Sequence, residues 1–413
     1  MPARSPVVLT ATMVVAMVAG MSAFVTFPAL LPIFQAQWHL SNTAAGWISG
    51  IFFVGYVIAV PILTGLTDRV DPRRIFLAAM AVSALATAGF GLTASGLWTA
   101  SFWRGLQGVG FAGTYMPGLK AITDLVPERV RSRCVAWYTA TFTVGSGVSF
   151  LLSGVLATAY SWRLALLLLA LGPVVGYLLA AAVLPRQPGR TPAPGTRLLD
   201  FRPVLAHPRA MAYMIAYGLH NAESSIMRAW GIALLVFSQQ HQPSGTLGGT
   251  WSPTVIAMVA NLLGLPAIII TNEVARHYPR PQVITVVMLL SALTGLGLGW
   301  SLDGSFSLVL LLVLLYGCIV PADSGAINAG LVAAAPLALR GATMALHALC
   351  GFTGAFLGPL FFGTILDLGG GATTQHAWIM AFGAFTVVVC LGVGLLLTTA
   401  ARPPRVGPEG RPR

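Results

Sequence analysis

The chain has 413 residues, of which 8% are Asp, Glu, Lys or Arg and 56% are hydrophobic, and its mean hydropathy is +0.81. A soluble domain usually carries about 25% charged residues, so this composition excludes a soluble fold, as it excludes the disordered, collagenous and disulfide-stapled secreted classes. A polytopic membrane protein remains, and the net charge of +12 becomes a question of placement before it says anything about nucleic acid.

A membrane helix needs roughly 20 mostly apolar residues. In chain order the sequence offers twelve such stretches, near 7–34, 43–66, 75–94, 97–119, 134–159, 164–184, 210–238, 252–272, 282–301, 305–335, 341–366 and 376–400, with ends good to roughly 2–4 residues. The first is longer than a signal-peptide core and is read as a retained helix. The apolar runs are continuous, not alternating, which favours a helical bundle over a β-barrel. Cys134, Cys318, Cys350 and Cys390 have no CxxC spacing and read as small hydrophobes within helices.

Charge tests the count. With both termini in the cytoplasm, 20 of the 23 cations fall on the cytoplasmic side: Arg4, Arg69, Arg73, Arg74, Lys120, Arg129, Arg131, Arg133, Arg186, Arg190, Arg197, Arg202, Arg209, Arg276, Arg280, Arg340, Arg402, Arg405, Arg411 and Arg413. Arg163 alone falls outside, and Arg104 and Arg228 lie within spans. The positive-inside rule predicts this asymmetry. A missed or invented span would scramble it, so the expectation is a multi-pass protein of the cytoplasmic (inner) membrane whose cationic face meets anionic lipid, with no nucleic-acid partner.

The stretch 185–209 holds Pro185, Pro188, Pro192, Pro194, Pro203 and Pro208 with Gly189 and Gly195, a linker composition. It divides the chain into a six-helix bundle at 1–184, a cytoplasmic linker at 185–209, a second bundle at 210–400 and a cytoplasmic tail at 401–413. At an offset of 204 residues Trp47 falls on Trp251, and Gly147 and Gly154 fall on Gly351 and Gly358. Six-plus-six repeats with a site near the midplane between them are a transporter architecture.

Between the second and third spans stands Gly65-Leu66-Thr67-Asp68-Arg69-Val70-Asp71-Pro72-Arg73-Arg74, and the fourth span carries Arg104-Gly105-Leu106-Gln107-Gly108-Val109-Gly110. The first resembles the loop signature of the major facilitator superfamily and the second its Arg with Gln-Gly-x-Gly behind it. Two departures stand out: Pro72 replaces the family's usual Gly, and the second-half copy, Asn272-Glu273-Val274-Ala275-Arg276-His277, is degenerate. The resemblance implies an all-α membrane protein with twelve transmembrane helices in two pseudo-symmetric six-helix bundles, working by alternating access. It makes Gly65, Asp68, Arg69, Arg73 and Arg74 a gating loop. The physics agrees: Gly65 permits close helix approach, Asp68 can meet cations or a helix N-terminus, and the arginines can hold acidic partners and anionic lipid. The glycines of spans five and eleven are read first as tight packing, and they are also similar to the glycine-rich signature of antiporters in the superfamily.

Charge inside hydrocarbon costs roughly 2.5 kcal/mol or more, so intramembrane ionisable residues mark function by default. The shortlist is Arg104 with Gln107, the span-seven group His220, Asn221, Glu223 and Arg228, and Asp323 beside Pro321. Glu223 and Arg228 are five residues apart and point about 140° apart around a helix, so they need not pair. Glu223 or Asp323 suits a proton carrier. Arg104 has three readings: an anion contact, a tuner of a carboxylate, or a brace against the first span. His347 reads as a core histidine, and Asp303 and Asp367 as solvated end groups. The single lysine, Lys120, precedes Ala121, so no P-loop exists, and no enzyme, metal or cofactor signature is found. The expectation is a monomeric secondary transporter of a small solute, coupled to protons. Drug-type antiport and uptake of a small organic anion both stay open, as does a transport-inactive receptor or assembly factor on the same fold.

Overall fold

A computed structural model of the chain describes residues 5–67, 69–186, 201–241, 251–335 and 339–400, and among these it contains helices and connecting turns but no strand. The first predicted stretch is broken into α1 (Pro6–Gly20), α2 (Thr26–Ala29) and α3 (Leu31–Trp38). Then follow α4 (Asn42–Leu66), α5 (Pro72–Thr93), α6 (Leu97–Leu125) and α7 (Glu128–Ala159). The sixth stretch is α8 (Trp162–Leu169) joined to α9 (Leu171–Val183), and a short α10 (Arg202–Leu205) lies in the predicted linker. The second half comprises α11 (Pro208–Gln240), α12 (Pro253–His277), α13 (Arg280–Ser301), α14 (Phe306–Ile319), α15 (Ser324–Ala334), α16 (Arg340–Leu368) and α17 (Gln375–Ala400).

Among the described residues nine segments, with α8–α9 and α14–α15 each taken as one, are apolar and long enough to cross a membrane. The other three predicted stretches are the broken α1–α3, α6 and α11. The last two are long enough but carry Arg104, Lys120 and Asp124, and His220, Glu223 and Arg228.

Successive helices run in opposite directions, so α1 begins and α17 finishes at one end of the bundle, called here the terminal end; the other is the far end. Helix starts are capped where chemistry allows: the Ser41, Asp71 and Ser161 side chains accept from Ala44, Arg73 and Leu164 amides at α4, α5 and α8. The break after α1 exposes backbone that lipid cannot satisfy. A side chain of α7 takes one of these groups, Ser149 Oγ accepting from Val25 N at 3.1 Å, and beside it the Thr26 and Ser153 hydroxyls lie 2.8 Å apart. Pro321 stands at the second break, between α14 and α15, as its helix-breaking character suggests.

Within the first half α4 and α5 pack on α6 and α1 on α9; within the second, α11 packs on α16, α13 on α17 and α12 on α14. The halves meet mainly where α4 lies along α16 and α7 along α12, with α2 and α3 touching α11. Glycine makes the first of these possible. A Cβ on Gly46 would run into the Pro359 carbonyl, and one on Gly363 into the Asn42 carbonyl. The side-chain contacts between α4 and α16 extend from Asn42 and Asp367 at the far end to Tyr56 and Phe352, whose rings are 4.3 Å apart. In the second pair, Gly154 meets Thr254 and Asn261 Nδ2 donates to Thr143 O at 2.7 Å. At the terminal end of α4 a Cβ on Gly65 would meet nothing within 4 Å. Among the described residues the side-chain contacts between the halves thus lie toward the far end, and open space stands beside Gly65 at the terminal end of α4.

Candidate functional site

Arg104 and Arg228 arrive from different halves, on α6 and α11, and line one small pocket at the interface, with a cavity volume of about 20 Å3 and Phe24, Ser49, Phe53, Ser225 and Pro359 among its other walls. Arg104 is 3% exposed. Its Nη1 donates to Phe24 O at 3.0 Å, in the break after α1, and to Gln107 Oε1 at 2.9 Å, and its Nε is buried with no partner. Gln107 in turn donates to Thr87 Oγ1 of α5 at 3.2 Å. Arg228 Nη2 donates to Ser225 Oγ at 3.3 Å. The guanidiniums lie over the Phe52 and Phe142 rings, 5.0 and 5.7 Å from their centroids, which gives partial compensation by cation–π attraction. Among the described residues neither arginine forms an ion pair, and no carboxylate lines the pocket. For Arg104 the structure shows the hydrogen bond to Phe24 O, a contact with the broken first span, and no carboxylate among the described residues that line its pocket.

Glu223 points elsewhere. It is 3% exposed and lies within the second half, where Oε1 accepts from Tyr316 of α14 at 2.9 Å and Oε2 from Ser291 of α13 at 3.0 Å. Among the described residues it pairs with no cation, and it turns away from the pocket that Arg228 enters, in line with their spacing on α11. Both of its partners are neutral donors, so the site can hold the residue with or without a charge at modest rearrangement.

One turn earlier, His220 Nδ1 stands 2.6 Å from Asp323 Oδ1, and both residues are buried. Asp323 lies at the break before α15, so the interrupted helix places it against α11. Asn221 donates to the Tyr217 carbonyl at 2.9 Å on its own helix and builds no part of this pair. His347 of α16 stacks on Tyr217 with centroids 3.8 Å apart, and its Nε2 donates to Asn328 Oδ1 at 2.8 Å. Its Nδ1 is buried without a partner. The core-histidine reading of His347 therefore holds for one ring nitrogen only. Sequence reasoning missed Tyr217, Ser291, Tyr316 and Asn328. Only Tyr217, a turn before His220 on the same helix, carried a signal that spacing could have read.

In the predicted gating loop, Asp68 lies outside the described residues. Gly65 is at the end of α4, and Arg69 and Arg74 are exposed. Arg73 instead reaches back to α9, donating from Nη2 to Ala181 O at 2.9 Å, while its backbone amide caps onto Asp71. Asp303 is exposed, as expected of an end group. Asp367 is not merely solvated: its carboxylate accepts four hydrogen bonds from Asn42 and Thr43, in the other half. Among the described residues no group of three or more His, Cys, Asp or Glu side chains is placed to hold a metal ion.

Two solved structures share the fold over nearly the whole length. A bacterial homolog of the human lysosomal transporter spinster, in an inward-facing and occupied conformation, matches with a TM-score of 0.75 at 16% identity over 97% of each chain. The nucleoside transporter NupG matches with a TM-score of 0.75 at 13% identity, over 96% of this chain and all of that one. Among curated proteins, the chain is 24% identical over 287 residues to protein spinster of Drosophila melanogaster (65% of this chain, 47% of that one). It is 25% identical over 147 residues to the niacin transporter NiaP of Acinetobacter baylyi (36% and 33%). The chain thus spans about a third to a half of the length of these two relatives. The family model of the Major Facilitator Superfamily matches residues 12–322. With that match over three quarters of its length, the chain belongs to the major facilitator superfamily and is a membrane protein of a transporter family.

Proposed function

We propose that this protein is a secondary active transporter that carries a small organic anion by alternating access, coupled to protons held by Glu223 and the His220–Asp323 pair. The observation that carries the reading is the meeting of Arg104 and Arg228, from opposite halves, at one pocket without a carboxylate. A cation without a counter-ion at membrane depth costs roughly 2.5–3.5 kcal/mol on insertion scales, and two of them facing one space call for an anion. Because each belongs to a different half, an anion between them ties the halves together, and its entry and release follow their motion. A cationic drug would meet two guanidiniums here, so drug-type antiport fits this pocket less well. The substrate and proton sites are then separate but share α11: Arg228 and Ser225 face the pocket, while Glu223 and His220 face the second half.

The distribution of cations supports placing the terminal end in the cytoplasm, in the inner membrane. The far end would then be the outer one, and the conformation would open inward. Arg69, Arg73 and Arg74 would engage anionic lipid at that face, and the Gly65–Asp68 segment would close against the second half in the opposite conformation.

Thermal shift of the purified protein against small carboxylates and phosphates, niacin among them, with neutral nucleosides and organic cations as contrasts, tests this at two pH values. Stabilisation by anions only, with pH-dependent affinity, is the expected result. Stabilisation by organic cations, unchanged in Arg228→Ala, would overturn it.

A further inference from the structure

Asp367 stands at the C-terminal end of α16, where the helix macrodipole disfavours an anion. An Asp there is unfavourable unless something outside the helix compensates it. The compensation comes from the other half. Oδ1 accepts from Asn42 N at 3.0 Å and Asn42 Nδ2 at 2.8 Å; Oδ2 accepts from Thr43 N and Thr43 Oγ1, both at 2.7 Å.

The donors are the first residues of α4, and the backbone accounting there is complete. A helix start leaves its first N–H groups without intrahelical partners. At α4 the Ser41 hydroxyl takes the Ala44 amide and the Ser41 carbonyl takes that of Ala45. Asn42 and Thr43 amides remain, and both go to Asp367. The cap of a first-half helix is therefore completed by a second-half carboxylate. Gln35 of α3 fixes the Asn42 side chain by donating to its Oδ1 at 2.9 Å. The contact seals one end of the α4–α16 seam that Gly46, Gly50 and Gly363 allow to close.

We propose that Asp367 is the latch of a far-end gate: its carboxylate on the α4 N-terminus holds the two halves together at that end and must release before the pathway opens there. When the halves part, α4 loses the acceptor of two backbone amides and Asp367 loses a helix N-terminus, so one contact couples the cap of a helix to the position of a domain. Water replaces these bonds at moderate loss because the site lies at the bundle end, which makes the latch reversible. At the opposite end of α4 a Cβ on Gly65 would meet nothing within 4 Å.

The test needs no substrate and so is independent of the anion reading. Spin labels are placed on cysteines replacing Ala36 and Thr373, both exposed and on opposite halves near the latch, in a background with the four native cysteines replaced. The parent should give one short distance. Asp367→Ala should add a longer component, its population raised on the order of tenfold, and Asp367→Asn and Thr43→Val should shift it less, because each removes only part of the donor–acceptor set. Denaturation midpoints separate a lost latch from a lost fold. Should Asp367→Ala not fold, Asp367→Asn carries the test. A distance distribution identical to the parent in every folded variant would overturn the proposal.

Discussion

The two halves carry different chemistry at membrane depth. The first contributes Arg104, with Gln107 and a lattice of phenylalanines around Phe24, and no buried acid near them. The second contributes Arg228 to the same pocket, and in addition Glu223, Asp323, His220 and His347 behind it. Every buried carboxylate of the candidate site therefore sits in one half. Under the proposed function this is a division of labour: both halves would grip the anion, and one half would also handle the proton. It would account for the two polar faces of α11 and for the break before α15 that brings Asp323 to His220.

The largest expected effect breaks the shared element. Arg228→Ala removes a cation that braces no backbone, unlike Arg104, which also holds Phe24 O. Hydrogen bonds to charged groups contribute about 1.5–3 kcal/mol, so anion affinity should fall about 10–100-fold with the thermal midpoint nearly kept. Anion binding measured by calorimetry checks it. Unaltered affinity would remove the second half from the grip and leave Arg104 as a brace alone.

Next comes the element the first half lacks. Glu223→Gln keeps an acceptor for one of Tyr316 and Ser291, turns a donor amide toward the other hydroxyl, and cannot release a proton. In proteoliposomes it should retain anion exchange between the two faces while losing uptake driven by a pH gradient. Loss of exchange and driven uptake together would place Glu223 in the grip and dissolve the division between the halves.

The span pattern and the end-to-end charge asymmetry were legible in the sequence, because hydropathy and cation placement are local properties. So was the shortlist of intramembrane charges, since a charge in an apolar run is conspicuous whatever its partner. The divergence of Glu223 from Arg228 followed from helix geometry alone. Partners were another matter. Ser291 and Tyr316 are ordinary residues of α13 and α14, and only packing brings them to Glu223. Asp367 looked like a solvated end group because nothing in its own helix hints that the start of α4 lies opposite. The break after α1 was hidden too: its Val25 amide goes to Ser149 of α7, a residue far away in sequence. In each case the missing information is which helix faces which.

The smallest effect sharpens the comparison most. Tyr316→Phe deletes a single donor to Glu223, worth about 1 kcal/mol, and leaves the ring packed against Phe382. Tyr316 belongs wholly to the second half and does not line the arginine pocket. It should therefore lower the thermal midpoint slightly and alter the pH profile of driven uptake, while the anion affinity measured at fixed pH stays that of the parent. In a double-mutant cycle with Glu223→Leu, the Tyr316 effect should vanish, because the hydroxyl then has no carboxylate to serve. If Tyr316→Phe instead weakens anion binding as strongly as Arg228→Ala, the polar groups of the second half act as one unit with the pocket, and proton and anion compete for a single site.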